Sequence, residues 1–331
     1  MSYSFFLFDL PFVAVREVFS MMSPFELIEM SKVSCQLKKV VTFHSRVLPY
    51  NLEIRIKENL AILLHSTSGT IYRYKFTADW TQDGMIKTYY IRKTWDCIFE
   101  KSISAEDLLE TQRDHFQYLK SVLNLNLDRI EFDMQQFGWR NRDTTNWLKE
   151  EFPEIPIIYL DGKDFVPPED VQYLLDQLHI TKKIILHSKV TGEVAIRIPK
   201  IWEYLEIRRQ SWMKLEHFLE LDCFNIRLAN PTLSNRDLNS FFKKWIKMEC
   251  HRGLGVFTTM IRRADDLEAI LEGIDHKESD ASKPQKLDFE RADGQGFVSI
   301  ADGRDITRID GTVATVGVFR CGACIIIHMT V

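Results

Sequence analysis

The chain has 331 residues, 45% of them hydrophobic and 27% charged, with a net charge of −4. That is enough for a sizeable core and about two domains, and the faintly acidic balance gives no electrostatic footprint for nucleic acid. No apolar run approaches membrane-spanning length, and the opening MSYSFFLFDLPF lacks a basic stretch and carries Asp9 and Pro11 inside its apolar residues, unlike a signal peptide. Six scattered cysteines form no small-domain framework and suit a reducing compartment, so an intracellular protein of the cytoplasm, the nucleus or both is expected.

Pro11 stands where a helix can begin, and Phe12, Val15, Phe19 and Met22 follow at helical spacing. Ser23-Pro24 interrupts the pattern. Ser23 can cap a second helix with Pro24 at its first position and Glu26 in its first turn, where an acidic group suits the helix dipole. Leu27, Ile28, Met30 and Ser31 continue it, and Leu37, Val40, Val41 and Phe43 predict a third short helix. So small a piece buries little apolar surface by itself. Periodicity alone fits a helical cap on a larger core as well as it fits a binding module.

The residues from Leu10 to Val41 resemble the F-box of nematode F-box proteins. The resemblance lies in Leu10-Pro11, then Met22, Pro24, Glu26, Leu27 and Ile28, then Ser31 and Ser34, and the basic-aliphatic end Lys38, Lys39, Val40 and Val41. It implies a three-helix F-box over 5–48 that docks on the Skp adaptor and, through it, on a cullin. The implied adaptor contacts are Leu10, Pro11, Val18, Phe19, Met22, Pro24, Leu27, Ile28, Ser31, Val33, Leu37, Val40 and Val41.

The period then changes. Leu52 to Ile56 alternate strictly, Leu60 to Leu64 form a short apolar run and Tyr72 to Phe76 alternate again, with Glu58-Asn59 and Ser68-Gly69 between them. These are hairpin signals, and a strand around Lys87 to Arg92 is expected to extend the antiparallel sheet. Ser104 to Asp107 reads as a capping box before a helix whose apolar face uses Leu108, Leu109, Phe116, Leu119, Val122 and Leu123. The segment 50–128 is therefore a hairpin-and-helix connector.

From Arg129 a four-residue pattern recurs as RIEF, IIYL (from Ile157), KIIL (from Lys183), YLEI (from Tyr204) and NIRL (from Asn225), with a looser GLGV from Gly253. Second and fourth positions are apolar, and the intervals of 28, 26, 21, 21 and 28 residues lie in or just outside the leucine-rich-repeat range. Helical faces fall between them, at Val171, Leu174, Leu175 and Leu178, at Trp212, Leu215, Phe218 and Leu219, and at Leu238, Phe241, Phe242, Trp245 and Ile246 behind a Ser234 cap. Such units stack into a curved parallel solenoid, because one alone cannot bury its apolar face. An ordinary α/β domain with a parallel sheet is the rival. In a solenoid the third positions, Glu131, Tyr159, Ile185, Glu206 and Arg227, with Gly255 after them, form one stripe suited to target binding; a solvated sheet face is the plainer reading.

A second resemblance lies in Leu219, Leu221, Cys223, Ile226, Leu228, Leu233, Asp237, Leu238, Asn239, Phe241 and Trp245, which is similar to the type 2 F-box-associated domain of the same nematode family. The Leu271–Ile274 piece and the Arg-x-Asp-Gly-Thr-x-Ala-Thr run from Arg308 are also similar. The two modules in this order imply a leucine-rich-repeat-like domain over 129–275. An exposed linker is expected over 276–296, then a β-meander cap over 297–331 with a two-residue Asp310-Gly311 turn.

Signals for chemistry are thin. Cys321-Gly-Ala-Cys324 has redox or half-zinc spacing, but only His328 lies near and strand-rich sequence follows, so packed thiols are expected. Cys250 and His251 are adjacent and point different ways, the Asp293-Gly-Gln-Gly296 glycines lack a phosphate loop's partners, and Asp302, Asp305 and Asp310 miss calcium-loop spacing. Trp202, Trp212 and Trp245 read as core. The expectation is an α+β chain with no catalytic residue, cofactor or metal, and no nucleic-acid or membrane partner: a substrate receptor of a Skp-cullin-F-box ubiquitin ligase. A repeat scaffold without a ligase, or an enzyme built on Cys321 and Cys324, are the alternatives.

Overall fold

The computed structural model describes residues 11–46, 48–91, 96–162, 165–190, 196–200, 203–208, 212–229, 233–264, 266–279, 285–291, 294–300, 303–321 and 324–331. The chain divides into two compact units, the first ending at Glu131 and the second beginning at Phe132. Helices and mixed sheet combine in an α+β architecture.

The first unit opens with α1 (Phe12–Met21), α2 (Pro24–Val33) and α3 (Cys35–Ser45). The Ser23 amide donates to the Glu26 carboxylate at 2.7 Å while the Glu26 amide donates back to the Ser23 hydroxyl, and Pro24 at the first position pre-sets the backbone. Ser34 caps α3 by accepting the Leu37 amide. These two caps place both breaks.

Next come β1 (Pro49–Ile56), β2 (Ala61–His65), β3 (Ile71–Thr77), β4 (Ile86–Tyr90), β5 (Cys97–Ser104), α4 (Leu108–Val122) and β6 (Asn124–Asp133), with strand order β6-β1-β2-β3-β5-β4. β1, β2 and β3 make the expected antiparallel meander, with Ile54 opposite Ile62 and Ile62 opposite Tyr74. The predicted extension by the Lys87–Arg92 strand is corrected: β5 inserts parallel to β3 and leaves β4 on the outer edge. A parallel pair needs a crossover, and the excursion through β4 supplies it. Asp107, not Ser104, caps α4 by accepting the Glu110 amide at 3.0 Å. Buried Gln112 of α4 donates to the Arg55 and Ala61 carbonyls, both at 3.0 Å, and so satisfies the backbone on either side of the β1–β2 turn.

The second unit carries α5 (Asn141–Glu151), β7 (Ile155–Asp161), β8 (Phe165–Val166), α6 (Pro168–Gln177), β9 (Ile180–Leu186), β10 (Lys189–Val190), β11 (Tyr204–Arg208), α7 (Leu215–Leu219), β12 (Asn225–Ala229), α8 (Asn235–Ile246), β13 (Val256–Ile261) and α9 (Asp266–Ile270). β7, β9, β11, β12 and β13 lie side by side in chain order, all parallel. One row runs through Ile158, Ile184, Leu205, Ile226 and Phe257, all essentially inaccessible. Each such side chain contributes roughly 1.5–3 kcal/mol by burial. Phe257 rather than Leu254 continues that row, so the sixth piece reads Val256-Phe257-Thr258-Thr259 and Thr258, not Gly255, takes its third position.

The predicted linker at 276–296 is corrected too. It holds β14 (His276–Glu278), β15 (Gln285–Arg291) and the start of β16 (Gly294–Ile300), with β15 and β16 paired antiparallel. β17 (Arg304–Thr307), β18 (Val313–Cys321) and β19 (Cys324–Thr330) follow, and β19 runs antiparallel along β13 with Met329 opposite Phe257. The β17–β18 turn is not the predicted two-residue type. The Arg308 amide donates to the Thr312 carbonyl at 2.8 Å, leaving Ile309, Asp310 and Gly311 in the loop, and Gly311 sits at φ +87°, where a side chain would be strained. The Arg308 guanidinium grips Asp310, donates to the Arg252 carbonyl and lies 5.2 Å from the Trp245 ring, so the Arg-x-Asp-Gly-Thr run is a clip holding the turn to the end of α8.

Candidate functional site

In the three-helix hook of the first unit, Phe19, Pro24, Leu27, Ile28, Ser31 and Val41 are buried, Leu27 and Ile28 to 1% exposure, and α2 packs on α3 and α4. Ser31 Oγ lies 3.0 Å from the Tyr118 hydroxyl of α4, and the Phe25 ring meets Tyr72 and Tyr74 of β3 edge-on. These residues serve the unit's own core, which corrects their expected part in adaptor contact. Val18, Met22, Leu37 and Val40 are half-buried, Pro11 and Val33 are exposed, and Leu10 lies outside the described residues.

The apolar surface the hook does offer is largely a different set. Phe12, Val13 and Phe43 are 59%, 66% and 58% exposed, and Phe12 meets Phe43 edge-on at 6.1 Å. His44 is tucked behind them, stacked on Phe19 at 4.9 Å, and burial together with the Arg16 charge lowers its pKa. Sequence reasoning missed Val13 and Met21, and had Phe12 and Phe43 only as residues at helical spacing, not among the adaptor contacts. The available signal was surplus: α1, Phe-Val-Ala-Val-Arg-Glu-Val-Phe-Ser-Met, has more apolar residues than its one buried face, Val15 and Phe19, uses.

In the second unit the third positions of the repeats do share a row, Tyr159, Ile185, Glu206 and Arg227, with Thr258 next. Glu131 belongs to the first unit, where it pairs with Lys57 and Arg55. Ile185 and Glu206 are only 3% and 5% exposed, so the row presents mainly Tyr159 and Arg227. Around Glu206 the side chains converge: Tyr204 donates its hydroxyl at 2.6 Å, His187 Nε2 lies at 3.1 Å, and Arg208 and Arg227 add ion pairs. Burial opposes ionisation of Glu206, but His187, Arg227, Tyr204 and Arg208 outweigh it and hold its carboxyl at about 2. Burial likewise disfavours a charged His187, yet Asp161 and Glu206 together raise its pKa. His187, Tyr204 and Arg208 escaped the sequence reading, although first, third and fifth residues of a strand lie on one face.

Cys321 and Cys324 stand opposite each other in register where β18 turns into β19, and Trp202 lies outside the described residues; Trp212 and Trp245 are fully buried. Among the described residues no group of three or more His, Cys, Asp or Glu could hold a metal ion, and no helix is long and apolar enough to cross a membrane.

Residues 7–47 match the F-box domain model, and residues 197–253 match the model described as F-box associated. The two matches fall in the order expected from the sequence, the F-box first and the F-box-associated segment after it. The second match spans β11, α7, β12 and α8. A Caenorhabditis elegans protein described as uncharacterized is 25% identical over 155 residues, covering 46% of this chain and 36% of that protein. The chain therefore aligns with about a third of that relative's length. No solved structure matches.

Proposed function

We propose that this chain is the substrate-recognition subunit of a Skp-cullin-F-box ubiquitin ligase, working inside the cell. The observation that carries the reading is the closed hook: its core is filled from within, while Phe12, Val13 and Phe43 stay exposed as apolar surface for an adaptor. Pro11 and Val33 are exposed as well, and Val18, Met22, Leu37 and Val40 are half-buried, so these too are proposed contacts. The parallel strands in chain order support reading 129–275 as a leucine-rich-repeat-like solenoid that receives a target protein, with Tyr159 and Arg227 as its accessible contacts. Glu206 and Ile185 then position that face from beneath. No residue need touch ubiquitin chemistry. The catalytic gain is proximity, which makes transfer to the target's lysines effectively local.

Co-purification with the Skp adaptor tests this. The intact chain is expected to form a complex, and Val13→Glu and Phe43→Glu each to weaken it by about tenfold or more with an unchanged circular-dichroism spectrum. Leu27→Asp and Ile28→Asp are expected to unfold the hook instead. Absence of a complex with the intact chain would overturn the ligase reading and leave a binding scaffold.

A further inference from the structure

A cavity of about 530 Å³ opens beside the carboxyl ends of β12 and β13, lined by Arg236, Arg262, Arg263, Asn235 and Asp266 over the buried side chains of Leu233 and Ile261. Open α/β sheets hold ligands in crevices at the carboxyl ends of parallel strands, and this volume suits a small ligand or one side chain with its neighbours. Among the described lining residues three arginines accompany one carboxylate, Asp266, which already accepts the Arg263 amide at 2.9 Å. The nearby Asp237 carboxylate is engaged by the Ser234 amide at 2.9 Å and hydroxyl at 2.7 Å, so the α8 cap is closed and an anion here would rest on side chains. Guanidinium forks match phosphate oxygens two at a time and stay charged at any physiological pH.

We propose that this crevice binds a phosphoryl group, held chiefly by Arg236 and Arg262 over the apolar floor. The proposal does not depend on the ligase reading, since inorganic phosphate binds whether or not the hook docks. A phosphorylated side chain and free phosphate offer the same chemistry, and the test separates them. The full chain is titrated at low salt with inorganic phosphate, followed by phosphorus-31 NMR. It is also titrated with a dye-labelled phosphoserine peptide of otherwise neutral sequence and its serine twin, followed by anisotropy.

Saturable binding is expected, with Arg236→Gln plus Arg262→Gln weakening it about tenfold or more at an unchanged melting temperature. A phosphopeptide that binds more tightly than both phosphate and its serine twin supports the site and assigns it to a protein side chain; equal affinity for phosphate and phosphopeptide supports it and assigns it to the free ion. If the double variant melts early, the single Arg236→Gln change is read in its place. No saturable binding of either probe, or binding untouched by the arginine changes, overturns the proposal.

Discussion

The tetrapeptide Leu-Glu-Ile-Arg occurs twice, at 52–55 in β1 and at 205–208 in β11, once in each unit. Both glutamates are buried on a sheet, and both collect the same company. The arginine two residues on pairs with each, a histidine from one neighbouring strand or its end lies at 3.1 Å (His65, His187), and an arginine from the strand on the other side comes to 3.8 Å (Arg129, Arg227). Yet β2, which brings His65, is antiparallel to β1, whereas β9, which leads into His187, is parallel to β11. Sheet chemistry here follows the shared face, not the direction of the neighbour. The second site has more: Tyr204 donates its hydroxyl to Glu206 at 2.6 Å, and His187 Nδ1 approaches Asp161 at 3.5 Å, which together with Glu206 raises the His187 pKa against burial.

The largest expected effect breaks both copies alike. Glu53→Ala and Glu206→Ala each leave partly buried guanidinium groups without their carboxylate and are expected to cost about 3 kcal/mol in urea denaturation. Glu53, the more deeply buried, should cost more. Costs under about 1 kcal/mol at both sites would mean that the arginines simply turn to solvent.

The next effect contrasts these paired histidines with one whose titration is governed by burial. His251 is packed against Phe218 and Phe241, and burial lowers its pKa to about 4. Between the ordinary histidine value of 6.5 and about 4 the unfolded chain takes up a proton that the folded chain refuses, so stability falls as the pH drops through that window. His251→Phe should recover about 2 kcal/mol at pH 5 relative to its effect at pH 7, measured by denaturation at both values. Glu206 adds its own acid loss only lower down, as the pH falls from 4.5 towards about 2.

Smaller still is the comparison of caps. Ser23 and Ser234 close reciprocal boxes at the starts of α2 and α8, and alanine at either should cost about 1 kcal/mol by thermal melting. The smallest effect sharpens the tetrapeptide comparison itself. His187, with its raised pKa, contributes stability that is complete below 6.5 and is lost as pH rises through the folded value. Asp161→Asn should shrink that alkaline loss to the share that Glu206 sustains, which NMR titration of the His187 ring would register as a fall in its pKa.

The reciprocal cap at Ser23, the apolar row from Ile158 to Ile226 and the inner face of α8 were legible because each is a local rule with a period. Other features turned on partners far along the chain. α5 buries Asn141, Thr144 and Thr145, where Thr145 donates to the Asn141 carbonyl at 2.8 Å and the Asn141 amide reaches Asp170 at 3.1 Å, so its inner face shows no hydrophobic period. β5 escaped because its place between β3 and β4 is a long-range pairing. At β13 the Gly-Leu-Gly-Val run imitates the repeat pattern three residues too early. In the hook, periodicity located the helices but could not say which of two apolar faces turns inward; the contacts, Leu27 and Ile28 among them, came from the family resemblance, and Val13 was in neither.

The strand that closes the parallel run has a consequence for how this protein could change over generations. β13 has β12 on one side and the antiparallel β19 on the other, and the Arg308 clip pins the turn that feeds this return. A duplicated strand-helix segment placed after β13 would have to displace β19 and forfeit that pairing. One placed between β9 and β12, where every neighbour is parallel and in chain order, would meet edges of its own kind. Lengthening of this array is therefore confined to its interior, while the closing end stays fixed.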